Sequence, residues 1–456
     1  VAVNTSFFSD MLQSIAERSR ALIGRERREG AGARRSDGLA ELCEALLSGR
    51  GEASGVALAD QILAEYSALT TGPRIAFFET LAKTFGHDRE RIEAAVAAWR
   101  QAPSAKTAGE LHEASEPRRL ELFRRLNLAP GGTAALVRMR EQLMDAMDHR
   151  EDLAEIDADF IHLFSSWFNR GFLVLRRIDW STPAMILEKI IRYEAVHQIR
   201  DWDDLRRRVD LPDRRCYAFF HPALVDEPLI FVEVALTREI SGAIAPILSE
   251  KREIVEPEKT TTAVFYSITN CQRGLAGVSF GAFLIKQVVE EVSRDMPRIS
   301  TFVTLSPAPN FAAWLKRERG NEASLALDAE DREALAALDR PDWWREPATL
   351  TQMREPFFRA AAWYYLRARN SRGLPLDAVA RFHLGNGARL ERLDWPGDVS
   401  ERALTQSYGL MVNYLYDLDY IEQNHEAYAQ QHAVVAASAV SRLVRTPIRE
   451  IVPVSG

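Results

Sequence analysis

The chain has 456 residues, 46% of them hydrophobic, and a formal net charge of −7. That length exceeds one ordinary core and predicts two domains, or three. The hydrophobic share predicts a globular protein, and the acidic balance excludes a general nucleic-acid binder.

The first 165 residues read as helices joined by short breaks. Phe8, Met11, Leu12, Ile15, Ala16 and Leu22 recur near helical spacing. So do Leu39, Leu42, Cys43 and Leu46, stopped by Gly49 and Gly51. Leu58 to Tyr66, Phe77 to Phe85 and Ile92 to Trp99 continue the pattern, then Leu111 to Leu126, Thr133 to Met147 and Leu153 to Phe168. Eight helical segments result, with no cluster of nucleophiles or bases among them. Residues 1–165 are expected to form a helical bundle, structural or oligomer-forming.

Residues 166–456 change character. Phe172 to Ile178 reads as a strand, and Pro183 to Val196 as a helix capped by Ser181 or Thr182. Cys216 to Phe220, Leu229 to Leu236, Thr262 to Ile268 and Ser300 to Leu305 read as strands, and Ser279 to Ser293 as a helix. This alternation predicts a mixed α/β domain. Asn321 to Pro347 reads as a charged surface excursion of short helices. Asn386-Gly387, between Ala380–His383 and Ala388–Leu393, is a hairpin signal that places His383 on a short strand. From Ser400 the chain reads as helical again, through Leu404, Tyr408, Met411, Val412 and Leu415, with a second helix after Asn424.

Cys43, Cys216 and Cys271 are odd in number and unclustered, which excludes a disulfide scaffold and predicts a reducing, cytoplasmic setting. No CxxC or HExxH pattern supports a metal site. No window approaches the roughly 20 apolar residues of a membrane span. Residues 1–20 lack the apolar run of a signal peptide, and Val454-Ser455-Gly456 is no peroxisomal address. The runs Arg206-Arg207-Arg208 and Arg214-Arg215 either face solvent or meet phosphates.

Three places could carry chemistry. Gln272-Arg273-Gly274-Leu275-Ala276-Gly277-Val278-Ser279-Phe280 follows a strong strand and opens a helix. It is either a tight turn or a cradle of backbone N–H groups for a pyrophosphate. GxGxxG and GK[ST] are absent, so it is neither a dinucleotide fingerprint nor a P-loop. Ser306, after a strand and before Pro307, is either a helix N-cap or a hydroxyl facing an anion-friendly site. His383 carries the side chain best suited to hold a transferable proton near neutral pH, though a lone histidine is often structural. Tyr416 is expected near the end of the helix that starts after Ser400, as a core aromatic or a site residue.

In their order, Phe265-Tyr266-Ser267-Ile268, Gln272 to Gly277, Leu305-Ser306-Pro307-Ala308-Pro309-Asn310-Phe311 and Phe382-His383-Leu384-Gly385-Asn386-Gly387 resemble the malonyl-CoA decarboxylase family. The resemblance covers nearly all of residues 170 to 440, and more weakly the N-terminal helices. It implies an α+β chain, in which an all-helical oligomerisation domain precedes a mixed α/β acyl-CoA acyltransferase-like catalytic domain with C-terminal helices. It implies Ser306, His383 and Tyr416 as catalytic residues, with CoA against Gln272 to Phe280. One departure stands out: Gly277-Val278-Ser279-Phe280-Gly281 has a serine where better-known eukaryotic members carry an active-site glutamate. Glu194, in another matched stretch, has no evident chemical role. The implied reaction is decarboxylation of malonyl-CoA to acetyl-CoA. It needs no organic cofactor, because the thioester is the electron sink and CoA is part of the substrate. The implied partners are this substrate and further copies of the chain, with no nucleic acid and no membrane. Two rivals share the fold: a CoA-dependent acyltransferase, and a non-catalytic acyl-CoA-binding regulator.

Overall fold

The computed structural model describes residues 35–48, 51–147, 150–278, 280 and 284–444. The helix expected on Phe8 to Leu22 lies outside the described residues, as do Gly49, Ser279, Gly281 and the C-terminal Val454-Ser455-Gly456. The chain divides into two compact units.

The first unit holds the chain through Val174 together with Phe220–Glu227 and Gln272–Phe280. Its described helices are Arg35–Leu47, Glu52–Ser67, Thr71–Lys83, Arg89–Gln101, Ala105–Ser115, Arg118–Leu126, Gly132–Met147 and Ala154–Trp167. Local chemistry starts several of them. Asp88 accepts the Arg91 N–H, and Ser104 with Thr107 makes a capping box. The one helix expected from Leu111 to Leu126 is two. Pro117 has no N–H to continue the ladder and pushes Glu116 out of the helical region, to φ −71° and ψ 128°. The apolar stripes meet in a phenylalanine-rich core of Phe77, Phe78, Phe85, Phe123, Phe160 and Phe164, all buried. Phe123 and Phe160 stack at 4.2 Å.

The second unit is built on an eight-stranded mixed sheet. The strands are β1 Val174–Ile178, β2 Arg214–Phe220, β3 Pro228–Thr237, β4 Thr262–Asn270, β5 Thr301–Thr304, β6 Ser306–Pro307, β7 Arg389–Asp394 and β8 Met411–Leu415. Their order is β1-β2-β3-β4-β5-β8-β6, with β7 on β8. β3 and β4 are antiparallel and buried along nearly their whole length. β4 and β5 are parallel, and their register ends at Phe265–Thr304 although β4 runs on to Asn270. β5 and β6 are two pieces of one run alongside β8, in a register unbroken from Val303–Leu415 to Pro307–Met411.

Five expectations are corrected here. His383 lies on a helix, Ala378–Gly385, and not on a hairpin strand. Asp377 caps that helix by accepting the Ala380 N–H at 2.7 Å, and Asn386-Gly387 ends it, with Gly387 at φ +82°. Ser306 caps no helix: it is in β6, and the next helix begins at Phe311. The helix after Ser400 stops at Ser407; Tyr408 and Gly409 turn the chain with positive φ, and Met411–Leu415 is a strand. The excursion from Asn321 to Pro347 is stitched to the fold. Asp331, Leu335, Leu338 and Trp343 are buried, and Trp343 stacks on Trp395 at 5.5 Å. The second helix begins before Asn424, at Ile421.

Candidate active site

Three separate parts of the second unit bring Ser306, His383 and Tyr416 together. Ser306 comes from the β5–β6 run. His383 comes from the last turn of the Ala378–Gly385 helix, whose end is tied down from outside. His425 Nδ1 donates to Gly385 O at 2.7 Å, and Asn424 Nδ2 donates to Gly387 O at 3.2 Å. Tyr416 follows β8, with its N–H bonded to Phe302 O at 2.8 Å. The Ser306 Oγ to His383 Nε2 distance is 3.1 Å, and His383 Nδ1 to Tyr416 Oη is 2.8 Å. All three residues are buried.

Burial decides the charge state. Desolvation lowers the His383 pKa from 6.5 to about 3. Desolvation also holds the Tyr416 phenol well above its ordinary value. The imidazole is therefore neutral at physiological pH and carries one N–H. Any proton it gives comes from that neutral N–H, and not from the imidazolium expected of a general acid near pH 7.

Two residues of this cluster escaped the sequence reading. Thr304 Oγ1 accepts the Ser306 O–H at 2.9 Å, and the Tyr414 ring stacks on the imidazole at 4.5 Å. The available signal was strand alternation: Thr304 and Ser306, like Tyr414 and Tyr416, are two apart and share a face.

The segment Gln272 to Phe280 belongs to the first unit. Arg273 pairs with Asp145 at 2.6 Å, and Gln272 Nε2 lies 3.5 Å from Glu227 Oε2. Gly274 is set by packing: a Cβ there would stand 2.1 Å from Val137 O. Buried Arg140 donates to Gly274 O and pairs with Asp157, both at 2.8 Å. The N–H groups of Leu275, Ala276 and Val278 bond to Gln272 O, Arg273 O and Leu275 O. A phosphate would thus meet fewer open donors here than the sequence suggested. Gly277 has φ +78°, and a Cβ there would make only ordinary contact, 3.9 Å from Ile161 Cδ1.

Glu194 has a structural account. Its carboxylate accepts the N–H groups of Val196 and His197 and the hydroxyls of Ser267 and Thr269, tying this segment to β4. The arginine runs serve carboxylates and carbonyls. Arg208 bonds Glu233 at 3.1 Å, Arg206 bonds Asp210 at 3.0 Å, and buried Arg214 donates to Ile247 O at 2.6 Å. Among the described residues no three His, Cys, Asp or Glu side chains stand where they could hold a metal ion.

Comparison with known proteins agrees in extent with this architecture. Residues 171–453 match the malonyl-CoA decarboxylase C-terminal domain, and residues 85–168 match the malonyl-CoA decarboxylase N-terminal domain. The mitochondrial malonyl-CoA decarboxylase of Anser anser anser is 36% identical over 412 residues, 83% of this chain and 81% of that one. The mitochondrial enzyme of Mus musculus is 35% identical over 399 residues, 80% of each chain. The crystal structure of malonyl-CoA decarboxylase from Rhodopseudomonas palustris superposes with a TM-score of 0.86 at 59% identity, covering 89% of this chain and 99% of that one. The Agrobacterium vitis structure gives 0.85 at 53% identity, with the same coverage.

Proposed function

Because the chain belongs to the malonyl-CoA decarboxylase family, we propose that it converts malonyl-CoA to acetyl-CoA and carbon dioxide at Ser306, His383 and Tyr416. The observation that carries the reading is the continuous hydrogen-bonded contact of these three buried side chains. Breaking the carbon–carbon bond leaves its electron pair on the thioester as an enolate. Hydrogen-bond donors fixed in a dry site stabilise that charge without reorganising. Ser306 orients the malonyl group beside the imidazole. His383 passes its N–H proton to the alpha carbon, while the Tyr416 contact at Nδ1 steadies the ring as it loses that proton. Water restores the proton once product leaves. Gln272 to Phe280 holds the CoA moiety, and Arg273, a cation of this loop paired with Asp145, turns to its phosphates. No carboxylate is needed at Ser279 if neutral donors do this work.

The test is direct. Pure protein and malonyl-CoA, with no acceptor added, should yield acetyl-CoA by mass. Thiol release that requires an acceptor would point instead to an acyltransferase, and binding without turnover to a regulator. A cytoplasmic location is part of the proposal, supported by three buried cysteines outside any disulfide. No helix among the described residues is long and apolar enough to cross a membrane. Assembly into dimers or tetramers through residues 1–165 completes it. A monomer by light scattering at micromolar concentration would count against that.

A further inference from the structure

The ladder between the β5–β6 run and β8 is interrupted at one residue, Thr304. In an antiparallel pair, residues that exchange N–H···O bonds recur every second position. Tyr416 N–H meets Phe302 O, so two residues on, Tyr414 N–H should meet Thr304 O. It does not. Tyr414 N–H goes to the Thr304 hydroxyl oxygen at 3.1 Å, and Thr304 O is taken by Asn413 Nδ2 at 2.7 Å. The register does not shift, and pairing resumes at Ser306–Val412. A buried ladder position has been given over to a side chain, whose Oγ1 is thereby held in place. Its second acceptor site faces Ser306, which donates to it at 2.9 Å.

The protons along this series of contacts are thereby fixed. A serine hydroxyl has one proton. With that proton on Thr304, Ser306 Oγ can only accept at the 3.1 Å contact, so the hydrogen there sits on His383 Nε2. A neutral imidazole carries one N–H, so Nδ1 is bare and accepts the Tyr416 O–H at 2.8 Å. Three protons fill three acceptors, all pointing one way.

We propose that Thr304 is a positioning residue that sets the direction of the chain Tyr416 to His383 to Ser306 to Thr304, and so fixes His383 as the Nε2–H tautomer with its proton at the Ser306 end. Ser306 is then an oriented acceptor beside the transferable proton, and no base withdraws its own. A nucleophilic, acyl-serine route has nothing to start it. The inference deepens the proposed roles of these residues, but its test reads the proton position directly and stands apart from turnover.

The experiment is ¹⁵N NMR of the full chain with labelled histidine. The His383 signals are assigned by their loss in His383→Gln. The expected result is a protonated Nε2 and a bare Nδ1. Thr304→Val keeps the shape and removes the acceptor, so the Ser306 O–H turns to Nε2 and the proton moves to Nδ1. Thr304→Ser keeps the acceptor and the original tautomer. In parallel, kcat should fall on the order of 10²-fold in the valine variant and recover in the serine variant, with KM little changed in either. A protonated Nδ1 in the unaltered protein overturns the proposal, whether or not the valine variant folds. So does an unshifted tautomer in folded Thr304→Val, or an acyl adduct on Ser306 by intact mass. If malonyl-CoA proves not to be turned over, the tautomer still decides.

Discussion

The phenol ring of Tyr414 lies nearly parallel to the His383 imidazole, with centroids 4.5 Å apart and planes 23° from parallel. One face of the imidazole is thereby closed to water, which contributes to the desolvation that keeps it neutral. Tyr414→Ala should let water reach the ring and raise the His383 pKa from about 3 toward its ordinary 6.5. Tyr414→Phe keeps the stack and should leave it low. An NMR titration of the ring protons reads both, and an unmoved pKa in the alanine variant would sink the account.

Acid sensitivity follows from two desolvated histidines. His383 and His197 have folded pKa values lowered from 6.5 to about 3 and about 4, both by desolvation. As pH falls below 6.5 the unfolded chain takes up these protons and the folded chain does not. Their effect is therefore nil above about pH 6.5, and stability is lost progressively down to the folded values. Between pH 4 and 6, His383→Gln should reduce the slope of unfolding free energy against pH by up to about 1.4 kcal/mol per unit. Urea midpoints across that range check it.

Ser306 and His383 should behave as one device. Each alanine variant should lower turnover on the order of 10²-fold or more. The double variant should fall well short of the product of the two losses. The measurement is kcat at saturating malonyl-CoA, normalised to folded protein. Near-full activity in either single variant would mean that residue has been given the wrong role.

Gly387 should tolerate no side chain. Its φ is +82°, and a Cβ would stand 2.1 Å from Ile421 O. The left-handed backbone alone costs about 1–2 kcal/mol in an L-residue, before the clash is counted. Gly387→Ala should depress the melting temperature and, by shifting the helix end that carries His383, also lower kcat. Gly373→Ala serves as the control. It has φ +73° but open space around it, so it should cost stability without touching kcat.

At the loop the two glycines separate packing from binding. Gly274→Ala should destabilise strongly, through Val137. Gly277→Ala meets nothing closer than Ile161 at 3.9 Å and should cost only its backbone strain, about 1–2 kcal/mol. If the loop holds CoA, Gly277→Ala or Gly277→Val should weaken CoA binding by more than it weakens folding. Calorimetry with CoA decides, and unchanged affinity in a folded variant moves the cradle elsewhere.

The order of helices and strands was legible in hydrophobic periodicity, because stripes of period 3.6 and runs of branched residues record which face is buried. The local structure around His383 was not. Asn386-Gly387 has the composition of a hairpin turn and of a helix end alike. What selects the helix is Asp377 before it, and His425 and Asn424 about 40 residues later, which bond its last carbonyl at Gly385 and the carbonyl of Gly387 just beyond its end. Tyr416 was misplaced for a similar reason. Leu404, Tyr408, Met411, Val412 and Leu415 fit a helical stripe, and only the partners of Met411–Leu415 in β5, β6 and β7 reveal a strand. Thr304 stayed hidden because its importance lies in a ladder bond that is missing, and such a loss has no composition.

The place of β8 in the sheet bears on how the chain is made. The last strand in sequence sits between the β5–β6 run and β7, in the interior of the sheet. As the polypeptide leaves the ribosome, β5 has one edge bare until residues 411–415 emerge, more than a hundred residues behind it. The same late segment brings the Tyr414 N–H that holds Thr304 and is followed at once by Tyr416. A nascent chain therefore carries the histidine and the serine for some time with nothing to align them. Sheet closure and assembly of the reactive centre become a single late event in synthesis.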